Sequence, residues 1–301
     1  MPFPDYPFQS NYFDRGDQIR MHYVDEGPRD APPVIMVHGN PTWSFYYRRV
    51  ISALSKTHRC IAMDHVGMGL SDKPKCSKEP GQSSYDYTLK QRIDDLGNLI
   101  EHLGISSSIT LIVHDWGGMI GTGLATRLVN KTPASIKQFV ILNTAAFHLP
   151  TTTNIPWQLK VGRSFIGPLL IKGFNTFCKG SAKQCVTRRP LPADVRDAYL
   201  SPYNSWANRV AVNRFVQDIP LSPAERAWPV VDQVQNALPA FKGIPMLICW
   251  GMNDFVFNPH YLAEWEKHFP NAQVHKFDDA GHYILEDAHE DVIPLIQQFI
   301  K

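Results

Sequence analysis

The sequence predicts an α/β protein, built on a mostly parallel sheet that is flanked by helices and interrupted by one α-helical insertion. Short, continuous apolar runs such as Pro33–Val37 (PVIMV) are typical of parallel strands covered on both faces. These runs alternate with segments of helical periodicity, of which Thr88–Leu103 is a clear example. The alternation stops once, over Asn143–Trp228, where no strand-like run of any length occurs.

The individual elements follow in chain order. Asn11–Phe13 and Arg20–Asp25 flank a turn and predict an opening hairpin. A helix is expected from about Phe45, another over Met119–Leu128, one starting at Asn258-Pro259 with a capping residue and a first-turn proline, and a last one over Val292–Ile300. Besides Pro33–Val37, the segments that predict strands are Arg59–Met63, Thr110–His114, Gln138–Leu142, Pro245–Trp250 and Gln273–Phe277.

This pattern divides the chain into three segments. We expect the first part of the core over residues 1–142, a helical cap over 143–228 and the second part of the core over 229–301. In open α/β sheets, ligands bind outside the carboxyl ends of the strands. An insertion that follows a strand's carboxyl end therefore lies over the place where a ligand would bind.

Composition excludes several classes of function. The net charge is +2 and no Lys/Arg run exceeds a pair, which argues against a nucleic-acid partner. No apolar run approaches the ~18 residues of a membrane span, and the N-terminal sequence lacks a signal-peptide pattern. The five cysteines show no C-x-x-C spacing, so we expect no disulfide framework and no zinc site, and a cytoplasmic location. We also expect no other metal and no cofactor.

Asp115 stands at the junction of a predicted strand and a predicted helix. Thr110–Gly121 (TLIVHDWGGMIG) resembles the strand–turn–helix of G-x-S-x-G, with Asp115 where the serine would be and Val113 in place of the first glycine. Gly117 and Gly118 are expected to break the strand, and the Trp116 N–H would point into the site from a helix N-terminus. Asp115 is accordingly a candidate nucleophile, although a plain helix N-cap is the alternative.

Two further polar residues follow later strands. Asp254 comes after the run ending at Trp250, and His282 comes after Gln273–Phe277. The order Asp115, Asp254, His282 matches the nucleophile, acid and histidine order of a hydrolase triad. An aspartate nucleophile needs a base that later activates water, and an acid that orients the base. Separately, Asp254 could be a turn residue and His282 an ordinary histidine.

Four segments resemble the haloalkane dehalogenase branch of the α/β-hydrolase fold: HGNPTW (His38–Trp43), VHDWGG (Val113–Gly118), WGMND (Trp250–Asp254) and DDAGHY (Asp278–Tyr283). The resemblance implies that Asn40 and Trp116 stabilise a halide, oxyanion or carboxylate through side-chain and backbone N–H groups. No carboxylate stands at Asn143-Thr144, where one subgroup places its acid, which leaves Asp254.

A second resemblance concerns the subgroup. LNTAAF (Leu142–Phe147) and SPYNSWANRVAVNRFVQDIPL (Ser201–Leu221) are similar to the third dehalogenase subgroup and to the β-lactone decarboxylases of long-chain olefin biosynthesis. This implies conversion of a cis-3,4-dialkyl β-lactone into an alkene and CO2, with dehalogenation of haloalkanes as the alternative. It also implies a small apolar substrate and a possible complex with other olefin-biosynthesis enzymes. The atom that Asp115 attacks stays open between an sp³ carbon and an acyl carbon.

The insertion carries two sets of residues that bear on substrate and partners. Its bulky apolar side chains are expected to line a site for alkyl chains: Trp157, Phe165, Ile166, Leu169, Leu170, Ile171, Phe174 and Phe177. Its basic side chains are expected on a solvated face, with a docking surface for acidic partners as the alternative: Lys160, Arg163, Lys172, Lys179, Lys183, Arg188 and Arg189.

Two other functions compete. An epoxide hydrolase would use cap tyrosines as proton donors, for which Tyr199 and Tyr203 are candidates, although Asn40 argues against it. A binding protein on a degenerate hydrolase fold would be expected to lack a member of the triad, and none is missing.

Overall fold

A computed structural model describes residues 3–76 and 85–301. The parts of the predicted segment 1–142 at positions 1–2 and 77–84 lie outside these described residues. Within them, eight strands form one sheet in the order β1-β2-β4-β3-β5-β6-β7-β8. The strands are β1 Asn11–Asp14, β2 Arg20–Glu26, β3 Pro33–Val37, β4 Arg59–Met63, β5 Ile109–Asp115, β6 Ile136–Thr144, β7 Met246–Gly251 and β8 Gln273–Phe277.

The sheet is mostly parallel, as the sequence predicts. β1 and β2 form the expected antiparallel hairpin, and β2 also runs antiparallel to β4. The strands from β3 to β8 are parallel to their neighbours, so their carboxyl ends lie along one edge. The predicted bounds of β3, β4 and β8 agree with the structure.

Helices cover both faces of the sheet and form the insertion. The α-helices are α1 Arg48–Leu54, α2 Leu89–His102, α3 Trp116–Lys131, α4 Trp157–Arg163, α5 Thr176–Gln184, α6 Ala193–Leu200, α7 Val210–Gln217, α8 Trp228–Ala237, α9 Pro259–His268, α10 Ile284–Asp287 and α11 His289–Phe299. Short 3-10 turns cover Ser44–Tyr47, Pro133–Ser135, Ser201–Tyr203, Ala207–Arg209 and Leu238–Phe241, and a π-helical turn covers Leu169–Gly173.

The hydrophobic core has two layers because successive side chains of a strand point to opposite faces of the sheet. In β3, Ile35 and Val37 pack into the layer beneath α2, α3 and α8, while Val34 and Met36 pack into the layer beneath α1 and α11. All four side chains are fully buried. This double coverage explains why β3 is a continuous apolar run without alternation.

The segment between β6 and α8 is helical, in agreement with the predicted absence of strands there. It contains α4 to α7 and the π-helical turn, and α4 packs against α7. Across the described ranges, none of the helices combines the length and the apolar character needed to cross a lipid bilayer.

Candidate active site

Asp115 is the last residue of β5 and immediately precedes α3. Its backbone has φ 52° and ψ −126°, a left-handed conformation that costs a non-glycine residue energy. Asp115 occupies the N-cap position of α3, but its carboxylate makes no capping hydrogen bond to the helix. Instead, Oδ1 accepts a hydrogen bond from the Asn40 backbone N–H at 2.6 Å. The strained turn therefore directs the carboxylate toward the loop after β3, and the N-cap alternative does not describe this side chain.

Three glycines make this turn possible by allowing close approach. Gly117 and Gly118 lie in the first turn of α3, so they do not break the strand, which continues to Asp115. A Cβ at Gly117 would clash with the Val37 carbonyl, and one at Gly118 would clash with the Thr144 side chain. A Cβ at Gly39 would occupy the position of the Asp115 carboxylate. Glycine is therefore required where the backbones and the carboxylate meet.

The three predicted triad residues meet at the carboxyl edge of the sheet. His282 Nδ1 lies 2.7 Å from Asp254 Oδ2, and His282 Nε2 lies 3.5 Å from Asp115 Oδ2. All three side chains are buried. His282 thus lies between the two carboxylates, with one ring nitrogen facing each of them.

Asp254 is held by a network that includes a residue the sequence analysis did not assign. Its Oδ1 accepts hydrogen bonds from the backbone N–H groups of Val256 and Phe257. Its Oδ2 accepts one from the Asn143 amide at 3.0 Å, and the same amide exchanges hydrogen bonds with the Gly251 backbone. Asn143 lies near the end of β6, and apart from this place at the carboxyl end of a strand no local pattern in the sequence points to its contact with Asp254.

Mutual contacts shift the pKa values of His282 and Asp115. Burial lowers the pKa of His282, but the charges and hydrogen bonds of Asp254 and Asp115 outweigh burial and raise it to about 10. Burial raises the pKa of Asp115, yet the hydrogen bond and charge of His282 outweigh burial and hold it below the usual range. These contacts therefore favour a protonated His282 and an ionised Asp115.

A cavity of about 420 Å³ lies between the core and the inserted helices and reaches Asp115 and His282. Asn40 and Trp116 both line it, next to Asp115. The Asn40 amide donates to the Val212 carbonyl, and its Oδ1 has no hydrogen-bond partner among the described residues. Trp116 is partly buried and packs against Phe215. The structure thus brings together all five predicted site residues.

The predicted apolar lining is correct for only half of its members. Trp157, Leu170, Ile171 and Phe177 line the cavity. Phe165, Ile166, Leu169 and Phe174 do not line it, and their side chains are exposed. The physical reason is that Phe165, Ile166 and Phe174 lie in the connections between α4, the π-helical turn and α5, while Leu169 lies on the side of the π-helical turn that faces away from the cavity.

The predicted solvated face also needs correction. Arg163 is largely buried, and it donates to the carbonyls of Val216, Gln217 and Ile219 as well as to Glu225. Arg188 is partly buried and pairs with Asp291 and Asp279. These two arginines tie chain segments together, because a guanidinium can donate to several acceptors at once.

The candidate proton donors of an epoxide hydrolase point away from the cavity. Tyr199 donates to Glu286 and Tyr203 donates to the Thr42 carbonyl, and neither tyrosine lines the cavity. Both are buried structural residues. The part of the chain that the structure describes also contains no group of three or more His, Cys, Asp or Glu side chains placed to hold a metal ion.

Comparison with known proteins places the chain in a family. The profile of the family described as alpha/beta hydrolase fold matches residues 32–289. A protein of Shewanella oneidensis named cis-3-alkyl-4-alkyloxetan-2-one decarboxylase is 50% identical over 98% of this chain and 89% of its own. A protein of Xanthomonas campestris pv. campestris with the same name is 48% identical over 100% of this chain and 99% of its own.

Haloalkane dehalogenases are more distant relatives. The one of Mycolicibacterium paratuberculosis is 33% identical over 94% of this chain and 89% of its own. The crystal structure of haloalkane dehalogenase DbeA from Bradyrhizobium elkani USDA94 superposes with a TM-score of 0.82, at 24% identity and 97% coverage of both chains. The last comparison bears on the fold alone. The chain belongs to the α/β-hydrolase family, in the branch that includes the oxetanone decarboxylases and the haloalkane dehalogenases.

Proposed function

We propose that this chain is a cis-3-alkyl-4-alkyloxetan-2-one decarboxylase that converts a β-lactone with two alkyl substituents into a cis-olefin and CO2. The observation that carries the proposal is the identity of 50% and 48% with proteins of that name over nearly the whole chain. The cavity supports it, because apolar walls that end at a buried carboxylate suit a strained ring bearing alkyl chains.

In this proposal Asp115 is the nucleophile. Its carboxylate is ionised, buried and held by the Asn40 N–H, so it can attack without a base. Attack at ring carbon C4 forms an ester to Asp115 and breaks the C4–O bond, which frees the ring carboxylate. That carboxylate then leaves as CO2, its bonding electron pair forms the C3=C4 bond, and the Asp115 carboxylate is expelled. No water or net proton enters this sequence, so it balances as written.

Asn40 and Trp116 are proposed to stabilise the carboxylate that is freed from the ring. Both line the cavity beside Asp115, and preorganised N–H donors stabilise negative charge most where water is excluded. In this role the Asn40 amide N–H gives up its hydrogen bond to the Val212 carbonyl and donates to the substrate oxygen instead.

His282 and Asp254 are proposed to act on the charge of Asp115. In the resting state the protonated His282 stabilises the Asp115 carboxylate. When Asp115 becomes an ester it loses its charge, which removes one of the causes that raise the pKa of His282. A neutral His282 could then deprotonate water, as a haloalkane dehalogenase requires.

Haloalkane hydrolysis is the second candidate. The relatives named haloalkane dehalogenase, and the presence of Asn40 and Trp116 beside Asp115, favour it as an alternative or minor activity. Attack of Asp115 on the carbon that bears a halogen would give the same kind of ester, and water would then be needed to release the alcohol.

The test is a direct competition between the two chemistries. We expect kcat/KM for a cis-3,4-dialkyl β-lactone to exceed that for 1-bromoalkanes of matched length, with alkene, CO2 and bromide all quantified. Long alkyl chains bury many methylenes, each worth about 0.8 kcal/mol, and this remote binding energy can position the ring against Asp115. If bromide release is about tenfold more efficient, a preference of about 1.4 kcal/mol, the chain is a hydrolytic dehalogenase instead.

Three further expectations belong to this proposal. The division into core segments 1–142 and 229–301 and a cap over 143–228 follows the helical insertion between β6 and α8. A location in the cytoplasm agrees with the five free cysteines, one of which is exposed. A complex with other olefin-biosynthesis enzymes would spare the apolar substrate and product from passing through water.

A further inference from the structure

The outer side of the cap exposes an unusual number of large apolar side chains. Phe165 is 96% exposed, Trp157 68%, Phe174 62% and Trp206 49%. Exposed apolar clusters of this kind mark interaction sites, because the surface of a soluble monomeric protein rarely carries large ones. We call the following set the cap face: Trp157, Val161, Phe165, Ile166, Leu169, Phe174, Trp206 and Leu221.

Most members of the cap face are close in sequence, and two of them meet at Gly173. Six of them come from the single stretch Trp157–Phe174. The side chains of Leu169 and Trp206 both lie beside the Cα of Gly173, and the Lys172 ammonium lies 4.6 Å from the centre of the Trp206 ring.

The cap face is also continuous with the cavity. Trp157, Val161 and Leu221 are exposed and at the same time line the cavity that reaches Asp115. An apolar molecule could therefore pass from the cap face to Asp115 along apolar side chains. Because of this continuity, a molecule bound at the cap face would lie next to the entrance of the cavity.

The stretch that supplies most of the cap face carries charges of one sign, while Glu225, which accepts a hydrogen bond from the Leu221 backbone N–H, is paired with Arg163. Residues 116–193 contain no Asp or Glu. Lys160, Lys179 and Lys183 are exposed and form no ion pair with any residue that the structure describes. Aromatic and apolar side chains accompanied by lysines are the composition that binds at the surface of anionic bilayers.

We propose that the cap face docks on an anionic lipid surface and that apolar substrate enters the cavity from that surface. The docking stands on the cap face and its lysines alone, whereas the uptake of substrate rests on the proposed function. Phe165 and Phe174 would insert among the acyl chains, Trp157 and Trp206 would lie at the level of the headgroups, and the lysines would contact lipid phosphates. An acidic protein or a second copy of the chain is a weaker candidate, because the cap face opens into an apolar cavity that takes small molecules.

Vesicle flotation tests the docking. We expect the full chain to float with vesicles of phosphatidylglycerol and phosphatidylcholine, and far less with vesicles of phosphatidylcholine alone. Replacing Phe165→Ser together with Phe174→Ser should weaken binding by on the order of tenfold or more, because both insertions are lost. Lys160→Glu together with Lys179→Glu should weaken it to a similar extent and reduce its dependence on salt. Neither pair lines the cavity.

Matched controls come from the opposite side of the protein. Tyr12→Ser removes an exposed aromatic side chain from β1, and Lys137→Glu reverses an exposed charge at the start of β6. Both variants should bind vesicles as the parent does. Failure of the parent to float with anionic vesicles overturns the docking, and concentration-dependent self-association in that case assigns the cap face to a second copy. Equal loss in the controls overturns the assignment to the cap face.

A second measurement separates docking from catalysis. With β-lactone embedded in anionic vesicles, the phenylalanine pair variant should turn over more slowly than the parent. With the same lactone dispersed in detergent, the two should be equal. If the parent is inactive on both forms of the lactone, the proposed function is contradicted. Flotation then still tests the docking. Equal rates of variant and parent on vesicles overturn the uptake from the lipid surface.

Discussion

The triad and the cap face lie at opposite ends of one cavity and are built in opposite ways. At the carboxyl edge of the sheet, Asp115, Asp254 and His282 are 6%, 2% and 3% exposed, and hydrogen bonds hold Asp115 Oδ1 and both carboxylate oxygens of Asp254. At the other end, Phe165 lies in the turn between α4 and the π-helical turn and is almost fully exposed. The chemistry therefore depends on a rigid, buried network, whereas access depends on a surface whose partner lies outside the chain. Substitutions at the two ends should differ in kind as well as in size.

The largest expected effect comes from Asp115→Asn. An amide cannot act as the nucleophile, so turnover should fall by several orders of magnitude while the fold remains intact. Turnover of a β-lactone and circular dichroism, measured on the same preparation, check this. Asp278→Asn is the matched control, since it makes the same change at an exposed carboxylate shortly before His282. Normal circular dichroism with near-parent activity in Asp115→Asn would remove Asp115 from the mechanism.

His282→Ala should block a late step of haloalkane hydrolysis more than the first step. An ionised Asp115 needs no base to attack, whereas the water that cleaves the ester does. Bromide should appear as a single burst matched to the enzyme concentration, and intact-mass spectrometry should detect the alkyl ester on the protein. If the parent releases bromide but the variant gives neither the burst nor the adduct, His282 acts before or during the attack of Asp115.

The smallest effect should come from the cap, where two adjacent leucines differ in direction. Leu170 lines the cavity and Leu169 is 52% exposed outside it. Leu170→Ala removes three carbon atoms from the lining and should lower kcat/KM for a detergent-dispersed long-chain β-lactone by at least about fourfold, because the loss of even one buried methylene is worth about 0.8 kcal/mol. Leu169→Ala is the matched control and should leave it unchanged. Equal effects of the two substitutions would mean that the π-helical turn does not face the substrate as described.

The local sequence determined most of the core and, through it, most of the site. Buried parallel strands are recognisable because both of their faces are apolar, as in β3 and β4. Because parallel strands end at one edge, residues that follow them meet there without further information from the sequence. Asp115, Asp254 and His282 could be predicted as a group for this reason, and the resemblance added Asn40 and Trp116, which line the cavity beside them.

Only the tertiary structure decided which way the cap side chains point. Short helices bury one side against a neighbour, and apolar composition alone does not distinguish Leu170 in the cavity from Leu169 outside it. The same holds for Arg163, whose burial depends on carbonyls 53 and more residues away in the chain. Asn143 contacts Asp254 across 111 residues. Such contacts depend on the packing of distant segments, and no local pattern in the sequence encodes them.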